Sequence, residues 1–108
     1  RFNEDISRWD LSSATDLSRM FHGCDEFDQE LKSWKVSKVN NMNSMFALAS
    51  SFDRSLETWD TSQVQDMSNM FSNASSFNQD ISGWNTAGVT TMLRMFQNAS
   101  SFDFQRCI

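Results

Sequence analysis

The chain of 108 residues has no proline, three glycines, two cysteines and a single histidine. Without proline, and with so little glycine, no stretch reads as a flexible linker. Two cysteines are too few for a disulfide framework and do not fix a redox compartment. One histidine and two distant cysteines cannot supply the roughly four ligands of a zinc site. Nine Lys and Arg stand against 14 Asp and Glu. That acidic balance argues against nucleic acid, because phosphate binding needs a basic footprint. No apolar run approaches the ~18 residues needed to span a bilayer. No signal peptide or transit segment is visible, and the chain begins with Arg1 rather than Met. It reads as a mature or excised piece of something longer. The length suits a single domain, and 39% hydrophobic residues is lean for a globular core.

What is present is a period of 25 residues without insertion. "WDLSSATDLSRMF" at 9–21 returns as "WKVSKVNNMNSMF" at 34–46, "WDTSQVQDMSNMF" at 59–71 and "WNTAGVTTMLRMF" at 84–96. Trp recurs at 9, 34, 59 and 84, and Met at 20, 45, 70 and 95. Phe recurs at 2, 27, 52, 77 and 102, and again at 21, 46, 71 and 96. Further series are Leu17, Met42, Met67 and Met92; Ile6, Leu31, Leu56 and Ile81; Ala14, Val39, Val64 and Val89; and Cys24, Ala49, Ala74 and Ala99. These series account for all four Trp, all seven Met and nine of the ten Phe, leaving Phe104. A ligand-binding aromatic surface would vary between copies. An invariant set at fixed phase is what stacking of one copy on the next requires, so these side chains are expected in a core.

Each copy is expected to have two parts. From Val64 through Met67, Met70, Phe71 and Ala74 the apolar spacing is that of one helical face. Ser12, Ser37 and Ser62 sit where an N-cap belongs, and Ala87 breaks the series. Asn73 and Asn98 lie near the expected helix ends, where Asn tolerates a left-handed turn. In "SFNQDISGW" at 76–84, Gly83 and the small polar residues argue against a second helix. A short extended segment at Asp80–Ser82 with Ile81 inward fits better, pairing with its neighbours as a narrow parallel sheet. The expected fold class is therefore α/β, a leucine-rich-repeat-like solenoid of about four 25-residue coils, each a short parallel β-strand plus a helix. It forms one domain with coils at 2–26, 27–51, 52–76 and 77–101 and a terminal cap at 102–108. One coil alone cannot offset the ordering of its chain, so about four are needed.

The pattern F-N-Q-D-I-S-x-W-D-T-S-x-V-x-x-M-S-x-M-F-x-x-A resembles the bacterial surface-protein repeat of about 26 residues, a relative of the BspA-like leucine-rich repeats common in surface lipoproteins. Trp59–Ser62, Val64, Met67, Ser68, Met70, Phe71, Ala74 and Phe77–Ser82 match best. The resemblance implies an extracellular or cell-surface adhesive scaffold and carries over no catalytic residue. "HGCDEF" at 22–27 departs from the usual small-residue turn, and "FDFQRCI" puts Phe104 where Gln or Glu is usual and Arg106 where Ile is expected.

Little in the chain suggests catalysis. His22 and Cys24 are two apart, which on a helix do not face each other, and no third group orients them. The series Asn3, Asp28, Asp53, Asn78 and Asp103 follows the period. It reads as a structural ladder bonding turn backbone between coils, with calcium beside Asp25, Glu26 and Glu30 as the less favoured alternative; the spacing is not that of an EF-hand. The variable phases give the candidate binding face: Asp5, Glu30 and Asp80; Lys32 and Glu57; Arg8 and Thr58. An ordinary solvated surface explains these residues equally well. Thr61 and Thr86 align, but Leu11 and Val36 precede them, which argues against a Thr-rich ice-binding ladder. "NAS" at 73–75 and 98–100 makes Asn73 and Asn98 glycosylation acceptors in a secreted eukaryotic protein, with at most one occupied. Cys24 and Cys107 are expected about three coils apart and unpaired.

The chain is thus expected to be a non-enzymatic scaffold for protein interaction or surface adhesion. It needs no cofactor, and its partner is a protein or surface ligand rather than nucleic acid. The alternative is a purely architectural subunit, held in a larger complex through its open ends.

Overall fold

The computed structural model describes residues 1–104. Neighbouring segments of the chain meet in the 25-residue register. Asp16, Asn41, Asp66 and Thr91 form a run of single parallel bridges. Around them, alternate N–H groups donate across to the next segment. Met67, Asn69, Phe71 and Asn73 donate to the carbonyls of Thr91, Leu93, Met95 and Gln97 at 2.7–3.0 Å. Met42, Ser44, Phe46 and Leu48 reach Asp66, Ser68, Met70 and Ser72 in the same way. The intervening groups close tight local turns, as in Met70 to Met67 and Ala74 to Phe71.

This pattern replaces the expected α/β solenoid. Among the described residues there is no α-helix and no strand longer than a single bridge. The stretch Val64–Ala74 is not helical because alternate N–H groups leave the i−4 carbonyls and bond the neighbouring segment instead. Asn69 and Asn73, at φ of 57° and 59°, also carry the backbone off the right-handed helical path. Arg19, Ser44 and Arg94 take the same left-handed conformation at the first of these phases, and Gly23, Leu48 and Asn98 at the second. Ser62 is no helix N-cap: its N–H donates to Asp60 Oδ1 at 3.0 Å. Ala87 does the same with Asn85, so the operative side chain lies two residues before the expected cap. Asp80–Ser82 is not extended either, because Asp80 Oδ1 accepts the Ser82 N–H and bends the backbone into a turn. The leucine-rich-repeat-like solenoid, and a repeat protein in that sense, give way to a turn-built body of 31 × 27 × 20 Å with a Cα radius of gyration of 12.6 Å. That radius is what a compact chain of this length has.

The apolar series form the core of this body. Phe27, Leu31, Val39, Met42, Met45, Phe46, Phe52, Leu56, Val64, Met67, Met70, Phe71 and Phe77 are wholly or almost wholly buried. Burial on this scale contributes roughly 1.5–3 kcal/mol for each large side chain. The rings stack in columns. Phe21, Phe46, Phe71 and Phe96 follow one another at 5.5 Å, and Trp34 lies parallel to Trp59 at 6.3 Å. The core assignment fails at the two ends of the series, where one neighbour is missing. Phe2 and Trp9 are exposed at one end, and Met92 at the other. The expected cap at 102–108 is described only as far as Phe104, which stands edge-on to Phe96 and Phe102. Arg106, Cys107 and with it the unpaired state expected of Cys24 and Cys107 lie outside the described residues. Among the described residues no helix is long and apolar enough to cross a membrane.

Candidate binding face

Short polar turns build the face on which the variable residues sit. An Asp or Asn side chain accepts the N–H two residues on, and the sequence places such pairs at three phases. Asp5 with Ser7 and Asp80 with Ser82 mark the first. Asp10 with Ser12 and Asp60 with Ser62 mark the second. Asp16 with Ser18, Asn41 with Asn43 and Asp66 with Ser68 mark the third. These bonds have an electrostatic consequence. The Ser7 N–H, then the Ser7 hydroxyl, hold the Asp5 carboxyl below the ordinary range. The Ser62 hydroxyl, then its N–H, do the same for Asp60, because each bond is made to the charged form.

The Asn/Asp series lies alongside. Asn3 Oδ1 accepts the N–H of Asp28, Asp28 that of Asp53, Asp53 that of Asn78 and Asn78 that of Asp103, all at 2.9–3.0 Å. The next residue reaches back: Gln29 Nε2 donates to Asn3, and Gln79 Nε2 to Asp53. Arg54 Nε pairs with Asp28 Oδ1. At the acidic stretch considered for calcium, Asp25 is paired with Arg1, and that bond holds its carboxyl down. Among the described residues no group of three or more His, Cys, Asp or Glu is placed to hold a metal ion.

Of the candidate binding residues, Asp5, Arg8, Lys32, Glu57, Thr58 and Asp80 are exposed and Glu30 is half-buried. Two of them come together. Lys32 and Thr58 line a hollow of about 270 Å³ with Trp34, Lys35, Val36, Ser37 and Asp60. Its backbone is fixed, since Thr58 Oγ1 donates to the Lys32 carbonyl at 2.8 Å and Ser33 Oγ likewise reaches Ser7. Asp5, Arg8, Glu30, Glu57 and Asp80 do not line this hollow. Sequence reasoning missed Lys35, Ser37 and Asp60. A signal for Lys35 was present: it stands at the phase held elsewhere by Asp10, Asp60 and Asn85, whose side chains close turns. A lysine cannot accept that bond, so its charge is left for something else. Thr61, by contrast, is buried and donates to the Asn85 carbonyl, so the aligned threonines form no flat exposed ladder.

His22 is exposed and Cys24 half-buried. Burial, then the neighbouring Asp25 charge, push the Cys24 thiol up and keep it protonated. Asn73 is half-buried and donates from Nδ2 to Ser72 Oγ, whereas Asn98 is exposed.

Fold and face together define a compact turn-built domain with its variable side chains on fixed loops. The chain belongs to the family described as "Mycoplasma protein of unknown function, DUF285", whose model matches residues 1–106. This corrects the resemblance to the surface-protein repeat of the BspA-like leucine-rich-repeat relatives, which the match does not support. No curated protein and no solved structure matches the chain.

Proposed function

We propose that the chain is a non-enzymatic scaffold that binds a protein or surface ligand through its exposed turns. The observation that carries this reading is the hollow bordered by Lys32, Lys35 and Thr58. Among the described residues neither lysine makes an ion pair. Two unpaired ammonium groups on a backbone tied by inter-segment bonds suit acidic side chains of a partner, and such charges set specificity and association rate. The protonated state of Cys24 supports a non-enzymatic reading, because the thiolate is the nucleophilic form. An extracellular setting belongs to the same proposal.

The test is interferometry of the chain against a panel of purified acidic extracellular proteins. A Lys32→Glu, Lys35→Glu variant is expected to bind its partner at least about tenfold more weakly, with an unchanged unfolding curve. If every panel member treats the two proteins alike, the reading is wrong. A second reading, an architectural subunit held in a larger complex through its ends, is favoured by the exposed Phe2, Trp9, Met92 and Leu93.

A further inference from the structure

One turn in each sequence copy is closed by the side chain at the phase of residues 10, 35, 60 and 85. Asp10 Oδ1 accepts both the N–H of Ser12 at 2.9 Å and its hydroxyl at 2.6 Å. Asp60 accepts the N–H of Ser62, and Asn85 that of Ala87, each at 3.0 Å. The second copy departs from this pattern. Lys35 stands where the acceptor belongs, and an ammonium group only donates. Among the described residues, neither the N–H nor the hydroxyl of Ser37 has a hydrogen-bond acceptor. The same copy lacks its other closing bond. Asp5 and Asp80 accept the N–H groups of Ser7 and Ser82. Glu30, one methylene longer, does not bond the N–H of Lys32, and its Oε1 is buried without a partner.

Charge is concentrated at the same place. Lys32, Lys35 and Lys38 are all the lysines of the chain, and no Asp or Glu occurs between Glu30 and Asp53. Lys32, Lys35 and Ser37 line one hollow. We propose that this hollow takes a single carboxylate of a protein partner, which accepts the N–H and hydroxyl of Ser37 as Asp10 accepts those of Ser12, with the Lys32 and Lys35 ammonium groups supplying the countercharge. The proposal rests on the scaffold reading above and deepens it, naming the group recognised and the donors that recognise it.

The donor set selects the ligand. The Ser12 hydroxyl, then its N–H, hold the Asp10 carboxyl below the ordinary range, so this pair of donors favours a charged carboxylate. A bond to an ionised acceptor is also shorter and stronger than a neutral one. Asp60 sets the upper limit of charge, because it lines the same hollow. Two ammonium groups less one carboxylate leave a single positive charge, which one carboxylate neutralises and a doubly charged oxyanion exceeds. At the other copies of this phase the chain carries its own acceptor, so among the described residues the site occurs once.

Amide shifts of the isotope-labelled chain, titrated with sodium acetate against sodium chloride at matched ionic strength, test this. The Ser37 amide is expected to move downfield and saturate with acetate, and to stay in place with chloride. Two variants of the exposed Lys35 separate completion of the turn from charge. Lys35→Asn supplies the residue that closes this turn at Asn85. Lys35→Gln removes the same charge but, like Glu30, is one methylene longer. Lys35→Asn is expected to abolish the acetate shift and to hold the Ser37 amide at its bonded position in plain buffer. Lys35→Gln is expected to keep a saturable shift, with affinity lowered about tenfold, the worth of one bond to a charged group. The wild-type titration decides the matter by itself if either variant fails to fold.

A Ser37 amide that ignores acetate, or answers chloride equally, overturns the proposal. So does tighter binding of sulfate than of acetate, or identical behaviour of the Asn and Gln variants. Those outcomes leave the scaffold reading standing, since its panel measurement reads charge alone. A panel that treats the wild type and the Lys32→Glu, Lys35→Glu variant alike removes the scaffold reading, whereas a saturable acetate shift at Ser37 keeps the carboxylate site.

Discussion

The indole N–H of Trp59 donates to the carbonyl oxygen of Leu31, 28 residues earlier, at 3.0 Å. Trp34 makes the same bond to Ile6, and Trp84 to Leu56. Each of these three indoles is buried and ties one segment to its neighbour. Trp59→Ala is expected to cost about 3–5 kcal/mol, the usual toll for emptying a large buried aromatic site. Trp59→Phe keeps most of the ring and should lose about 1–2 kcal/mol for the bond and the smaller volume. Trp9 is 55% exposed, so Trp9→Ala should stay within about 1 kcal/mol. Urea titration ranks the three; equal losses at Trp9 and Trp59 would contradict the packing.

Leu48 holds a left-handed backbone at φ 61° with its side chain 46% exposed. Gly23, Asn73 and Asn98 occupy the equivalent positions with suitable residues. The left-handed region costs an ordinary L-residue roughly 1–2 kcal/mol, and less for Asn or Gly. Leu48→Asn should therefore stabilise the fold by about 0.5–1 kcal/mol, and Asn73→Leu should do the reverse. A thermal melt that moves the other way for Leu48→Asn would refute this.

The carboxyls of Asp5, Asp10, Asp16 and Asp60 are held below the ordinary range by bonds from the serines two residues on. A depressed folded-state value stabilises the fold above the unfolded carboxyl range of about 4, and that contribution is lost as pH falls through the folded value. The melting temperature is expected to be flat from neutral pH to about 5 and to fall below about 4. Asn41 and Asn85 close the same turn without a charge. Asp10→Asn with Asp60→Asn should therefore keep the fold and flatten the acid limb; an unaltered limb would show that these carboxylates are not its source.

Passed through a eukaryotic secretory pathway, the chain should carry one N-linked glycan, at Asn98. The amide of Asn73 is half-buried and bonded to Ser72, and its N–H is committed to Gln97. Intact mass of the wild type and of Asn98→Gln reads this directly. Occupancy at Asn73 in the variant would contradict protection of that amide by its burial and its bond to Ser72.

The sequence was most informative about depth and least informative about backbone path. Phases such as those of Phe46, Met70 and Leu56 announce burial because a large apolar residue returns at each. Their spacing of three and four does not distinguish a helix from a ribbon of tight turns, since both bring positions three apart to one side. What separates them is where the N–H groups of Met67, Asn69 and Phe71 go, and no side chain reports a bond to a carbonyl 24 residues away. Asn73 and Asn98 hint at left-handed backbone, but Arg19, Ser44 and Leu48 adopt it without any such mark. On the candidate face, Lys32 and Thr58 were legible as variable phases, but not as neighbours. The hollow itself depended on Lys35 and Asp60 from two different segments, and their adjacency is a product of folding.

The bonds between segments nearly all join residues 24 to 26 apart. Each therefore closes a loop of the same length, and each closure carries a similar entropic penalty. No pair of segments is privileged by proximity along the chain. Which pair forms first is decided by side chains alone, and the fully buried rings of Phe46, Phe52, Phe71 and Phe77 place that advantage in the middle. Folding is expected to spread outward from there, the segments that carry the exposed Phe2, Trp9 and Met92 closing last and opening first.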